Sequence, residues 1–357
     1  MTVILAHTAD WLLTWFVHAS VACAVALLTG RWLSGDKSRD LLWKTALLLP
    51  LATSLLSVSM EWSPGGSLDV PTTARRFMPR SLQAAHVSVQ AARPSAPATI
   101  TVRDDTARAV RYAVLAMMLL PAVIATSRMV SRQRRYRSVL RGRRVVSARN
   151  LGVDVDALSP GGHTVRLSVS SRVESAAAVG HGEICVSDTL TSLGRAQREA
   201  VIAHELAHVE RRDVLWSVFA DAVGCLLAVQ PLVRIVVRRF RRDAEFICDD
   251  IAVRRTGDAR AYVGTLILFA TPYDNSAGAL AYGSSPIVER AERLLNSHRA
   301  RGQSHVWVPS LIAVMLLCGL LALPRVHTGD ANVTVRTQDS STTSTTRKQV
   351  HVTLGGR

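Results

Sequence analysis

The segment AVIAHELAHVERRD, residues 200–213, places His204 and His208 four residues apart, with Glu205 directly after the first histidine. On an α-helix, residues four apart project from one face, so the two imidazoles can share a single metal ion. Glu205 then lies beside the metal, where a carboxylate can take up the proton of a metal-activated water. This H-E-x-x-H arrangement points to zinc-dependent hydrolysis with Glu205 as the catalytic base.

Two histidines make half of a tetrahedral site. A catalytic zinc takes a third protein ligand and leaves the fourth position to water. The best downstream candidate is Glu245 in RRDAEFICDD. Asp249, one helical turn later, shares its face and would hydrogen-bond the free ring nitrogen of a ligand histidine. Asp213 would do related work or simply end the helix. Cys248 is a rival soft ligand, although its place beside Ile247 favours buried packing.

The elements that must position these groups sit in an apolar, basic chain. Of 357 residues 48% are hydrophobic, and the net charge is +16, carried almost wholly by arginine, since only Lys37, Lys44 and Lys348 are lysines. The five cysteines show no C-x-x-C spacing and read as reduced, buried small hydrophobes. No basic residue precedes the first apolar run, so a retained membrane segment is expected there and not a cleaved signal.

Four stretches have the length of a bilayer crossing: Trp11 to Leu28, Leu41 to Met60, Tyr112 to Ser127 and Val306 to Leu323. The loop RWLSGDKSRD follows the first span, and RMVSRQRRYRSVLRGRR, with eight arginines, follows the third. Both should be cytoplasmic by the positive-inside rule. The expected organisation is then two membrane helices in 1–60, an extracytoplasmic low-complexity loop at 61–108, and a third membrane helix at 109–127. A cytoplasmic zinc metallopeptidase domain follows at 128–305, then a fourth membrane helix at 306–323 and an extracytoplasmic tail at 324–357. Basic segments also bind nucleic acid, but this arginine run abuts an apolar span and holds no aromatic residue beyond Tyr136. A topology anchor at anionic lipid fits it better.

Residues 214–237 are apolar enough to suggest a further crossing. One crossing would separate His208 from Glu245, and two crossings need about 40 residues. Only 24 are available. A membrane-associated helical hairpin, broken at Gln230-Pro231, is therefore expected. Upstream, HTVRLSVSSRV alternates like a strand. SAAAVGHGEICVSD reads as a small-residue strand, a glycine turn around His181 and a second strand, and a helix follows over 192–212. The strand Ala176, Ala177, Ala178, Val179 offers an edge for an extended substrate by strand addition. Arg254, Tyr262 and Arg290 are candidates for the oxyanion partner.

HELAHVERRD, the apolar segment with Pro231, and AEFICDD together resemble the membrane gluzincins. The nearest are antirepressor metallopeptidases of the β-lactam-sensor type; CAAX prenyl proteases and bacterial heat-shock membrane proteases are more distant. SRDLLWKTALLLPLA resembles that family's second span, and the likeness covers residues 10–60 and 128–323. It implies Zn2+ on His204, His208 and Glu245, with Glu205 as base and Asp249 in support. It also implies a regulatory substrate such as a cytoplasmic transcriptional repressor. Full sensors of this type carry an extracellular penicillin-binding domain after the last span. Here about 34 residues follow, without an S-x-x-K motif, so β-lactam sensing is not expected. Gln230 stands where the family usually has a histidine, and the proline often seen near Ser175 is absent.

The expected fold is mainly α with a small β-sheet: polytopic membrane helices plus a cytoplasmic zincin-like (gluzincin) α+β domain. The expected activity is that of a zinc endopeptidase in a bacterial inner membrane, with both termini outside. Its partners are a protein substrate and the lipid bilayer, without direct nucleic-acid contact, and a homodimer is the candidate assembly. The alternatives are a quality-control protease for membrane proteins and a non-catalytic signal transducer. Intact His204, Glu205, His208 and Glu245 disfavour the transducer, because a binding-only protein needs no base. The topology is checked with single cysteines at Ser192, at Thr256 and in the tail of a cysteine-free chain, probed on intact cells with an impermeant thiol reagent. Only the tail should react, and labelling at Thr256 without labelling at Ser192 would mean that 214–237 spans the bilayer.

Overall fold

The computed structural model describes residues 2–33, 35–59, 67–69, 105–159, 162, 164–173, 176–180, 182–270, 286–296, 307–327, 333–338 and 349–354. The chain is mainly helical with one small mixed sheet. Helices α1 (Thr2–Thr29), α2 (Asp36–Ser59) and α3 (Asp105–Val139) come first. Among the described residues two helical stretches, His7–Thr29 and Tyr112–Val139, are long and apolar enough to cross a membrane. α2 runs through the second expected span, and the fourth coincides with a shorter apolar helix of 15 residues, Trp307–Leu321. The arginine-rich segment after the third span continues α3 to Val139. Arginine and glutamine are good helix formers, and the next glycine is Gly142. The expected low-complexity loop lies outside the described residues, apart from strand β1 (Ser67–Asp69) and the start of α3, and so does His181.

The chain divides into two compact units. One comprises residues 1–18, 51–120 and 318–357. In it β1 pairs in parallel with β6 (Arg325–His327), and β7 (Val333–Gln338) pairs antiparallel with β8 (Gln349–Leu354).

The other unit, residues 19–50 and 121–317, holds every residue with candidate chemistry. Its sheet has the order β2-β3-β5-β4, from β2 (Arg144–Val146), β3 (Arg166–Ser170), β4 (Ala176–Val179) and β5 (Glu183–Ser187). β3 and β5 are parallel, and the other two pairings are antiparallel. β3 falls where alternation placed a strand, and β4 and β5 fall on either side of the expected glycine turn; β2 was not foreseen, because three residues are too few to show a period. Leu167, Val169, Ile184 and Val186 form the floor of the main core. Cys185 points the other way, toward Leu140 and Val173.

Helix α4 (Arg195–Arg211) covers that floor with Ile202, Ala203, Leu206 and Val209. It starts three residues later than expected because Asp188–Ser192 forms a 3-10 turn instead. The Gln197 side chain accepts from the Gly194 N–H at 3.1 Å, satisfying one of the helix's free donors. At the other end Arg212 has φ +57°, in the left-handed region, and the chain turns straight into α5 (Asp213–Leu226). Then Leu227–Gln230 leads into α6 (Pro231–Thr256), with Gln230 Oε1 accepting from the Leu232 N–H at 3.2 Å and Pro231 in the first turn. Residues 214–237 therefore fall in two helices, and the second runs unbroken through Glu245 and Asp249 to Gly257 at φ +72°. Leu215, Val218 and Leu226 on α5 and Ile235 on α6 remain exposed. Three further helices, α7 (Ala259–Ala270), α8 (Pro286–Asn296) and α9 (Trp307–Leu321), follow. Tyr262 and Val263 of α7 and Ala291 and Leu294 of α8 close the core over α4.

The left-handed residue between α4 and α5 generates a test. A non-glycine side chain in that conformation costs roughly 1–2 kcal/mol, more for a β-branched one. Arg212→Gly should keep stability within about 1 kcal/mol, whereas Arg212→Val should lower it by about 1–2 kcal/mol. Denaturant melts of the full chain measure both, and equal stability of the two variants would contradict the assignment.

Candidate metal centre

α4 presents His204 and His208 on one face, and their rings meet edge to face at 84° with centroids 4.8 Å apart. The two Nε2 atoms lie 3.2 Å apart. Glu245 on α6 completes the triangle, with Oε2 3.5 Å from His204 Nε2 and Oε1 3.5 Å from His208 Nε2. A tetrahedral zinc with bonds of about 2.0–2.1 Å separates its ligand atoms by about 3.3–3.4 Å. One ligand atom from each residue, all within 4.8 Å of one another, can converge on such an ion.

The ring protons decide which nitrogens are free to bind. His208 Nδ1–H donates to Asp213 Oδ2 at 2.9 Å. His204 Nδ1 lies 2.8 Å from the Tyr262 hydroxyl and 3.2 Å from Asp249 Oδ1, and that hydroxyl donates to Asp249 Oδ1 at 2.5 Å. Carboxylates only accept, so both Nδ1 atoms carry the proton and both Nε2 atoms present lone pairs to the same point. Two facing acceptors and a carboxylate need a cation between them. The donor set suits zinc, with two imidazoles, one carboxylate and one side left open.

Electrostatics agree. Burial alone would lower the His204 pKa, but hydrogen bonds to Asp249 and Glu245 outweigh it and raise the value to about 9. Burial would raise Glu245, yet His204, Arg290 and His208 hold it at about 2. Asp249, fully buried, is likewise held below the usual carboxylate range by His204 and Arg290 against the effect of burial. Without a metal, the pocket keeps a proton on His204 in the place a cation would take.

The helix bearing Glu245 is gripped from two sides. Asp243, two residues earlier, accepts from Trp43 Nε1 at 2.8 Å and from Arg39 Nε at 3.1 Å. Arg293 on α8 donates to both oxygens of Asp250 at 2.9 Å and pairs with Asp36, while its guanidinium lies 4.7 Å over the Phe246 ring. One turn before it, Arg290 holds Asp249 with two hydrogen bonds, at 2.9 and 2.5 Å, and lies 3.0 Å from Glu245 Oε2.

Glu205, next to His204 on α4, reaches the sheet. Its Oε2 accepts from the Ala178 N–H at 2.7 Å, which ties the expected base to β4, the edge strand of the sheet. The strand Ala176–Val179 thus lies beside the helix that carries the histidines.

Three residues raised by the sequence lie outside the ligand triangle, and Cys248 among them is buried as its place beside Ile247 suggested. Tyr262 is not placed to meet a substrate oxyanion: it is 2% exposed and stands behind His204, at Nδ1. Arg254 is exposed in the last turn of α6, and no described contact takes it to the cluster. Cys248 does not join the triangle. Its sulfur lies 3.3 Å from His208 Nδ1 and 3.5 Å from Asp213 Oδ2, on the protonated side of the ring, and burial pushes its thiol well above the ordinary range. Arg290 alone of the three oxyanion candidates lies on the ligand side, 3.5 Å from His204 Nε2.

Residues 16–294 match the sequence model of the BlaR1 peptidase M56 family, a stretch that covers well over half of the chain. The chain belongs to this family. No curated protein matches its sequence. The BlaR1 peptidases are metallopeptidases, and in this member the matched region contains all of the cluster, from Asp36 through His204 to Arg293.

Because His204 holds a proton up to about pH 9, a metal ion taken up by this cluster has to displace it. The affinity of this BlaR1-type peptidase for a divalent metal such as zinc should therefore rise by roughly tenfold per pH unit below that value. The His204 contribution to metal-free stability runs the opposite way: a raised pKa stabilises fully below the unfolded value of about 6.5 and is lost as pH rises through about 9. Competition with a chelator at pH 6, 7 and 8 checks the first trend, and an affinity independent of pH would refute it.

Proposed function

We propose that the protein is a membrane-embedded zinc endopeptidase that cuts a cytoplasmic or membrane protein in regulatory signalling, such as a transcriptional repressor. The observation that carries this reading is the triangle of His204, His208 and Glu245 with both Nδ1 protons anchored. When bound there, zinc supplies Lewis acidity to the scissile carbonyl and to the attacking water. Glu205 takes the proton from the water and returns it to the leaving amine. Asp213 holds the His208 ring, and Tyr262 with Asp249 holds the His204 ring, so each presents Nε2. Arg290 puts a fixed positive charge beside the site where the carbonyl oxygen becomes negative.

The substrate approaches as an extended strand along β4, from Ala176 to Val179. Small side chains there allow close approach of a peptide backbone. In the membrane arrangement proposed, residues 1–60, 109–127 and 306–323 provide four spans, and the gluzincin domain at 128–305 faces the cytoplasm. The exposed Leu215, Val218, Leu226 and Ile235 then rest in the bilayer interface with Arg234, Arg238 and Arg239, all exposed, at its rim. The termini lie outside in a bacterial inner membrane, nucleic acid is not contacted directly, and a homodimer is the candidate assembly.

Two substitutions separate metal from chemistry. Glu205→Gln should retain one zinc per chain and lose peptide hydrolysis by at least about 100-fold, because it removes the base and leaves the ligands. Glu245→Ala should lose most of the zinc. Elemental analysis of the purified chains and single-turnover cleavage assays measure both. Wild-type turnover in Glu205→Gln would disprove the mechanism, and full zinc in Glu245→Ala would move the third ligand elsewhere.

A further inference from the structure

Four charged side chains alternate in sign between α2 and the histidine at the end of α4. Lys44 Nζ donates to Asp40 Oδ2 at 2.8 Å. Asp40 Oδ1 lies 3.2 Å from Arg211 Nη2, an ion pair by proximity in which the two atoms are not aligned for a hydrogen bond. Arg211 Nε donates to Asp213 Oδ2 at 3.0 Å, and the same oxygen accepts from His208 Nδ1 at 2.9 Å. Asp40 and Asp213 are 6% and 4% exposed. Lys44 also lies over the Trp216 and Phe240 rings, at 5.2 and 5.7 Å, which seats this part of α2 against α5 and α6.

The hold on Asp213 is one-sided. Its Oδ1 is buried and has no hydrogen-bond partner among the described residues, so its polar contacts run through Oδ2. The orientation of this carboxylate is therefore set by what else grips that atom, and the charged group there is Arg211. Were Arg211 to swing away, buried Asp40 would keep only Lys44, and buried Asp213 only His208 and Cys248, so each would lose its guanidinium counter-charge, which is unfavourable. A shift of α2 that moves Asp40 thus moves Arg211, then Asp213, then the ring of His208.

We propose that Asp40 and Arg211 are positioning residues for His208, so that α2 sets the orientation of a metal ligand it does not touch. This rests on the reading of His208 as a zinc ligand. Neither residue lies in the ligand triangle; both act through Asp213.

The test is a double-mutant cycle on the full chain, with Asp40→Asn, Asp213→Asn and the double variant compared with the parent. Zinc affinity is measured by competition with a chromophoric chelator, and ligand geometry by the visible spectrum after cobalt substitution. Partners of ligand histidines typically contribute roughly 10–100-fold in metal affinity. Asp213→Asn should fall in that range and Asp40→Asn near its lower end, about tenfold, each with a shifted cobalt spectrum. Once Asp213 is replaced, Asp40→Asn should change nothing more, because the link is already cut. Effects that multiply, or a parental affinity and spectrum in Asp40→Asn, would overturn the proposal. Arg211→Lys gives a second arm in case a charge-removing variant does not fold. It keeps the charge but cannot bridge both carboxylates, so it should also weaken zinc, and parental affinity in it counts against the relay. A parent chain that binds no zinc defeats both this proposal and the functional reading. A parent that binds zinc normally while the cycle is additive defeats the relay alone.

Discussion

Two imidazole lone pairs and a carboxylate directed at one point repel one another, and most of the second unit is arranged to keep them there. The 3.2 Å separation of the Nε2 atoms is tolerable only with positive charge nearby, whether a proton, a guanidinium or a metal. α4 supplies the histidines from adjacent turns, so their spacing is local and inexpensive to maintain. Glu245 arrives from another helix, and its position needs tertiary support at every turn of α6. That support comes from Trp43, Arg39, Arg290 and Arg293, which hold Asp243, Asp249 and Asp250 around it.

The pattern also changes the meaning of the chain's arginine excess. A net charge of +16 suggests membrane topology or acidic partners when it is read along the sequence. Several of these arginines instead face inward and neutralise buried carboxylates. Arg290 and Arg293 each pair with two acidic groups, and Arg211 bonds Asp213 and lies 3.2 Å from Asp40. The planar guanidinium suits this role, because its N–H groups sit on separate nitrogens in one rigid plane and so reach two carboxylates in fixed directions. The low-dielectric interior makes such alternating rows strong when complete and costly when broken.

What the sequence disclosed follows the range of the interactions. His204, Glu205 and His208 were legible because a helix turns i and i+4 spacing into shared geometry. The strands β3, β4 and β5 were legible through alternation and the glycine between the last two. Glu245 and Asp249 needed a chemical argument about the missing ligand, and the structure puts both beside the histidines. Tyr262 and Arg290 were picked out as polar residues without a known location. Their partner His204 is 58 and 86 residues away, and no local period encodes such a meeting. Asp40 and Arg211 left no trace at all: one reads as a loop-end carboxylate, the other as one more cytoplasmic arginine.

The hydrogen bond from the Ala178 N–H to Glu205 makes the edge strand and the base compete for one partner. A peptide docked along β4 would claim that N–H for its own ladder and release the carboxylate it had held. Glu205 would then be latched while the cleft is empty and freed only by a backbone long enough to lie along the strand. Length of extended chain, more than any particular side chain, would then be the first thing this site asks of a substrate.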